Sequence, residues 1–96
     1  MIRVSVTYPS AEGSTFDHDY YQGTHVPLCL SSWPAAKSAQ IDKGINGPSV
    51  AAVHFTFDSM DDFQSSMGGP GTAAVMADVA NYTNIAPVMQ ISEIIS

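Results

Sequence analysis

Two separate runs of strict alternation limit this chain more than any other feature. Residues 2–8 set Ile2, Val4, Val6 and Tyr8 against Arg3, Ser5 and Thr7, and residues 50–58 set Ala51, Val53, Phe55 and Phe57 against Val50, Ala52, His54 and Thr56. A period of two marks a half-buried strand, so the chain must build a sheet with one apolar and one mixed face. Residues 38–45 predict a weaker, more polar edge strand, and Asn46-Gly47-Pro48 a turn after it. Residues 88–95 predict a fourth strand in which Met89 and Ile91 alternate with Gln90 and Ser92, with its two faces open.

Between the strands the period changes. Ser14 and Asp17 are both acceptable N-caps for a helix running to about Trp33. Phe16, Tyr20, Gly23, Pro27 and Leu30 succeed one another at spacings of four, three, four and three, which predicts that this stripe faces the sheet. Pro27 predicts a kink, because it lacks an N–H and its ring collides with the carbonyl of residue 23, where Gly23 eases a close approach. Ser59 with Asp62 reads as a capping box for a second helix carrying Met60, Phe63 and Met67. Gly68-Gly69-Pro70-Gly71 interrupts that helix, and Thr72 is placed to cap a further segment, Ala73 to Val79.

The order β-α-β-β-α-β implies an α+β, ferredoxin-like fold: a four-stranded antiparallel sheet with two helices on one face. The whole chain, 1–96, is one domain, since its length suits a single core and no linker or repeat divides it. His54, Thr56 and Gln90 fall on the bare face, which is too polar for a dry core yet carries little charge. Two copies packed face to face around a cavity account for it, and a chain this short gains from burial against a partner.

Nine Asp and Glu against three Lys and Arg give a formal net charge of −6. That sign argues against nucleic acid and anionic membrane as partners. Cys29 is the single cysteine and cannot form an internal disulfide, while Met1 leads directly into a strand pattern with no apolar leader. A reduced, cytoplasmic setting is the expectation.

The segment Asp19-Tyr20-Tyr21-Gln22-Gly23-Thr24-His25-Val26-Pro27-Leu28 resembles the YY-x-x-x-H-x-P-L helix of EthD-domain proteins. Residues 57–63 and 81–93 resemble later segments of that family, named for ethyl tert-butyl ether degradation. The resemblance implies membership of the dimeric α/β-barrel superfamily, in which two ferredoxin-like subunits join through their open sheet faces. Relatives there include muconolactone isomerases, cofactor-free polyketide oxygenases and polyketide cyclases. The resemblance therefore implies a homodimer, no cofactor, and a role in xenobiotic or other catabolism. The glycine-rich run at 68–71 departs from the more continuous second helix of the family.

His25 is the leading catalytic candidate, with Tyr21 one turn earlier, because imidazole moves protons near neutral pH on enolisable or phenolic groups. It serves equally well as a structural residue that hydrogen-bonds the kinked helix. Tyr21, His54, Thr56 and Gln90 are candidate ligand-binding residues, although His54 can instead satisfy a group across a dimer interface. His18 and His25 stand about 10.5 Å apart in helical rise, too far for one metal, and no CxxC or HExxH motif exists. No metal or cofactor is expected. Cys29 reads as a small buried apolar residue, and Tyr20, Tyr21, Trp33, Phe55 and Phe57 read first as core. Two functions are consistent with these residues: a cofactor-free enzyme acting on a small hydrophobic or aromatic metabolite, or a non-catalytic ligand carrier or accessory protein of an oxidative system.

Overall fold

Alternation in the third strand sets the inside and outside of the molecule. The computed structural model describes residues 1–96. Four strands, β1 (Ile2–Pro9), β2 (Ser38–Lys43), β3 (Ser49–Phe57) and β4 (Val88–Glu93), form one antiparallel sheet in the order β2-β3-β1-β4. Ala51, Val53, Phe55 and Phe57 are buried, while Ala52, His54 and Thr56 between them are half-buried. Pairing carries this facing across the sheet: Val6 lies opposite Val53 and Met89, and Ser5 opposite His54 and Gln90. Cross-strand neighbours share a face, so Met89 and Ile91 belong to the helix side and Gln90 and Ser92 to the open side. Met89 and Ile91 are nevertheless exposed because β4 is an edge strand.

The helices lie on one side, as the ferredoxin-like expectation requires. Asp17 rather than Ser14 caps the first, α1 (His18–Tyr20), its carboxylate accepting the Tyr20 N–H at 3.0 Å. A π turn, Tyr21–His25, comes next, and α2 (Val26–Ser32) continues the arm. The Val26 N–H bonds the Tyr21 carbonyl five residues back. This wider turn places Pro27 in the first turn of α2, where a missing N–H costs little.

The π turn also corrects the predicted stripe. The buried face starts at Tyr21 and not at Tyr20, and one extra residue in the winding rotates the remainder of the arm, so the series runs Tyr21, His25, Cys29 and Trp33 at spacings of four. Gly23, Pro27 and Leu30 are exposed, and a Cβ on Gly23 would meet nothing within 4 Å. No close approach requires that glycine.

Ser59 caps α3 (Met60–Met67) by accepting the Asp62 N–H at 3.1 Å, and Phe63 packs edge-on against Phe57. The glycine-rich run then brings α4 (Thr72–Asp78) against the end of α2. A Cβ on Gly71 would lie 2.6 Å from the Ser32 Cβ, which explains glycine there. Thr72 begins α4 instead of capping it: its hydroxyl donates to the Ser66 carbonyl at 3.0 Å and accepts the Trp33 indole N–H at 2.9 Å. A 3₁₀ turn, Val79–Asn81, extends α4 toward Tyr82.

Candidate functional site

The π turn positions the central group of the site. It turns Tyr21 and His25 inward with their rings stacked, centroids 5.5 Å apart and 18° between planes. His25 is 4 % exposed and lies between the helices and the sheet. Its Nδ1 stands 2.9 Å from Oδ2 of Asp78, which α4 carries across from the other side.

Asp78 is held ionised. Asn81 Nδ2 and the Tyr20 hydroxyl both donate to its Oδ1, at 2.9 and 2.7 Å, and with His25 they keep the carboxyl below its usual range despite partial burial. An ionised carboxylate only accepts, so His25 Nδ1 carries the hydrogen of that bond. In neutral imidazole this leaves the Nε2 lone pair free to accept. The Tyr82 hydroxyl lies 3.2 Å from Nε2 and 2.7 Å from the Tyr8 hydroxyl. Burial pushes the Tyr8, Tyr21 and Tyr82 phenols upward, so all three keep their protons at neutral pH. The result is a connected chain, Tyr8–Tyr82–His25–Asp78.

A cavity of ≈ 150 Å³ opens beside this chain. Fourteen residues line it, twelve of them hydrophobic; His25 and Pro87 are the exceptions, so apart from the hydroxyls of Tyr8, Tyr21 and Tyr82 the His25 ring is the one polar group of the lining. Trp33 and Phe55 form one wall and Val75 and Val79 another, while Met76 and Met89 are partly exposed at the rim. Cys29 also borders it, but burial raises its thiol to about 12, which suits an inert apolar residue and not a nucleophile.

The residues singled out from sequence divide between two places. His25 and Tyr21 meet at this cavity, whereas His54, Thr56 and Gln90 do not line it. Alternation sends those three to the opposite face of the sheet. There His54 lies 2.8 Å from Ser5 Oγ and 2.9 Å from Asp42 Oδ2, beside an open hollow with no hydrophobic lining. Thr56 bonds Ser38 at 2.7 Å, and Gln90 Nε2 donates to Ser92 at 3.1 Å. No three His, Cys, Asp or Glu side chains come together as a metal site.

Sequence reasoning missed Asp78, Tyr82 and Tyr8 as site residues. A signal for Asp78 was present, since it is the only charged residue between Asp62 and Glu93. A lone carboxylate flanked by Ala73–Ala77 and Val79–Ala80, once buried, needs a partner.

The EthD domain model matches residues 13–86. The chain belongs to the EthD family. An EthD-like protein of Ralstonia eutropha is 39% identical, with a TM-score of 0.91 over 99% of this chain and 92% of that one. An ethyl tert-butyl ether (EthD) family protein of Bacillus halodurans is 17% identical, with a TM-score of 0.79 and 99% of each chain covered. A dimeric protein of ferredoxin-like fold from Bacteroides fragilis is 11% identical, with a TM-score of 0.64 over 97% of this chain and 95% of that one. The two lower identities show the fold alone. None of the curated proteins compared matches. The π turn, with His25 and Pro27, and the Asp78–Tyr82 segment both lie within the matched domain of this EthD-family chain.

Proposed function

We propose that this EthD-family protein is a homodimer that takes a small hydrophobic or aromatic metabolite into the His25 cavity and moves a proton on it without a cofactor. The observation that supports it most is the buried His25–Asp78 pair at the edge of an otherwise apolar cavity. Asp78 fixes the ring and its tautomer, and Nε2 takes a proton from an enolisable or phenolic group. The imidazolium formed lies against a carboxylate, which stabilises it. Isomerisation or cofactor-free oxygenation of a catabolic intermediate each begins with that deprotonation. Membership of the EthD family, named for ethyl tert-butyl ether degradation, supports a xenobiotic setting, and the free buried thiol of Cys29 fits a reducing cytoplasm.

A second copy covers the open sheet face in this reading. A dimeric neighbour of the same fold supports it, as does a face with several hydrogen-bonding groups and few charges. Obligate contacts of this kind bury roughly 2,000 Å² or more in total. Sedimentation at micromolar concentration is expected to give a dimer; a folded monomer overturns this part.

The non-catalytic carrier or accessory reading has its own support: Tyr82 already engages Nε2, and no buried side-chain polar atom lacks a partner. His25→Gln separates the two readings. Deuterium uptake from solvent into carbon-bound positions of an enolisable ligand is expected to fall about 10²-fold or more while the fold and dimer persist. Ligand binding with no exchange in either protein favours the carrier. Failure of wild type to bind any small apolar compound rejects both.

A further inference from the structure

The cavity's dimensions and the imidazole on its wall narrow the ligand further. An apolar protein cavity of about 150 Å³ holds one benzene ring, and the space beside His25 is ≈ 150 Å³. Its walls resist expansion. The Trp33 indole is tied by its N–H to Thr72, whose hydroxyl is tied in turn to the Ser66 carbonyl. Phe55 stands at 5.6 Å and 87° to that indole, backed by the central strand β3. A second fused ring would have to displace one of these groups, with a loss of packing and of buried hydrogen bonds. Only the rim is adaptable, where Met76 and Met89 offer flexible thioethers that suit contact with an aromatic ring.

The polar contact selects the substituent. With Nδ1–H committed to Asp78, Nε2 offers one acceptor. Tyr82 has one hydroxyl hydrogen and two partners in reach, so turning it toward Tyr8 at 2.7 Å releases Nε2 for a ligand O–H. No cationic Lys or Arg lines the cavity, and the nearest fixed charge is the Asp78 carboxylate. A ligand anion would be buried without a counter-ion next to a like charge. A neutral hydroxyl on one ring fits both conditions.

We infer that the ligand is a single-ring phenol, or a cyclic enol of the same size, bound with its hydroxyl donating to His25 Nε2. This rests on the reading of the cavity as the ligand site. The test is calorimetric titration of the full-length protein with phenol, p-cresol, toluene, benzoate and 2-naphthol. Phenol and p-cresol are expected to bind, toluene about tenfold more weakly, the scale of one hydrogen bond, and benzoate and 2-naphthol not measurably. His25→Gln should bring phenol close to toluene, and Val79→Phe, which fills the cavity, should abolish binding of both. Naphthol binding as tightly as phenol overturns the one-ring limit but leaves the site standing. Benzoate or toluene matching phenol overturns the assignment of the hydroxyl. Retention of phenol by a folded Val79→Phe protein places the ligand elsewhere and overturns the inference, and binding of none of the five compounds rejects it together with the site. Phenol binding by a protein that exchanges no carbon-bound hydrogen of an enolisable ligand leaves the inference intact and removes only the catalytic reading.

Discussion

The two faces of the sheet each carry a histidine paired with an aspartate at 2.9 Å, His25–Asp78 on the helix side and His54–Asp42 on the open side. Geometry alone would make them equivalent. Their surroundings differ: the side chains of His25 and Asp78 are 5% and 12% exposed, those of His54 and Asp42 28% and 62%. In the single chain water reaches the open pair and screens its charges, so its contribution there is small. The inner pair has little water to fall back on, and Asn81 and Tyr20 join Asp78 in one network. Burial and additional partners, more than the distance, distinguish a poised histidine from a surface one.

The largest contrast between the faces is expected from packing. Phe55→Ala removes a ring buried against Trp33 and should cost about 3–5 kcal/mol in denaturant unfolding, the scale of a core aromatic truncation. Thr56→Ala, one residue on, loses a hydroxyl pair with Ser38 and should cost about 1 kcal/mol or less in the same assay. Equal losses would mean that the sheet faces are reversed.

Next come the two carboxylates. Asp78→Asn removes a charged acceptor with three donors and should destabilise by about 1.5–3 kcal/mol. Asp42→Asn should cost about 0.2–1 kcal/mol, the range of exposed pairs. A double-mutant cycle with each histidine checks this, and the coupling should be larger for the inner pair. If the outer pair couples as strongly, exposure in the single chain is a poor guide to its environment.

A smaller effect should appear in acid. The Asp78 carboxyl is depressed in the folded protein, by Asn81 first, then Tyr20 and His25. The folded state therefore binds fewer protons than the unfolded chain, and this group's contribution to stability is complete above the ordinary carboxylate value of about 3.9. It is lost progressively as pH falls through that value toward the depressed one. Tm measured from pH 6 downward should fall less steeply in Asp78→Asn than in wild type, which takes roughly one step of linked protonation out of the profile. Parallel profiles would show that Asp78 is not held ionised by its neighbours.

The strand faces were legible because a strand's side-chain direction depends only on residue parity. Once Val53 and Phe55 point inward, His54 and Thr56 must point outward. Helical facing depends on where the stripe starts and on the cumulative winding, so a start at Tyr21 instead of Tyr20 and the π turn together moved the buried stripe from Gly23, Pro27 and Leu30 to His25, Cys29 and Trp33. The sequence by itself determined the order of elements, the break at the glycine-rich run and the family segment that carries His25. Only the tertiary structure decided that His25 meets Asp78 and Tyr82, 53 and 57 residues away, because such contacts arise when α4 docks against α2. It likewise decided that the cavity lies under the helices, where Trp33, Phe55 and Val75 leave a space that no local pattern encodes. Along a strand, local periodicity sets which face a residue occupies, whereas close packing across distant segments sets what it touches.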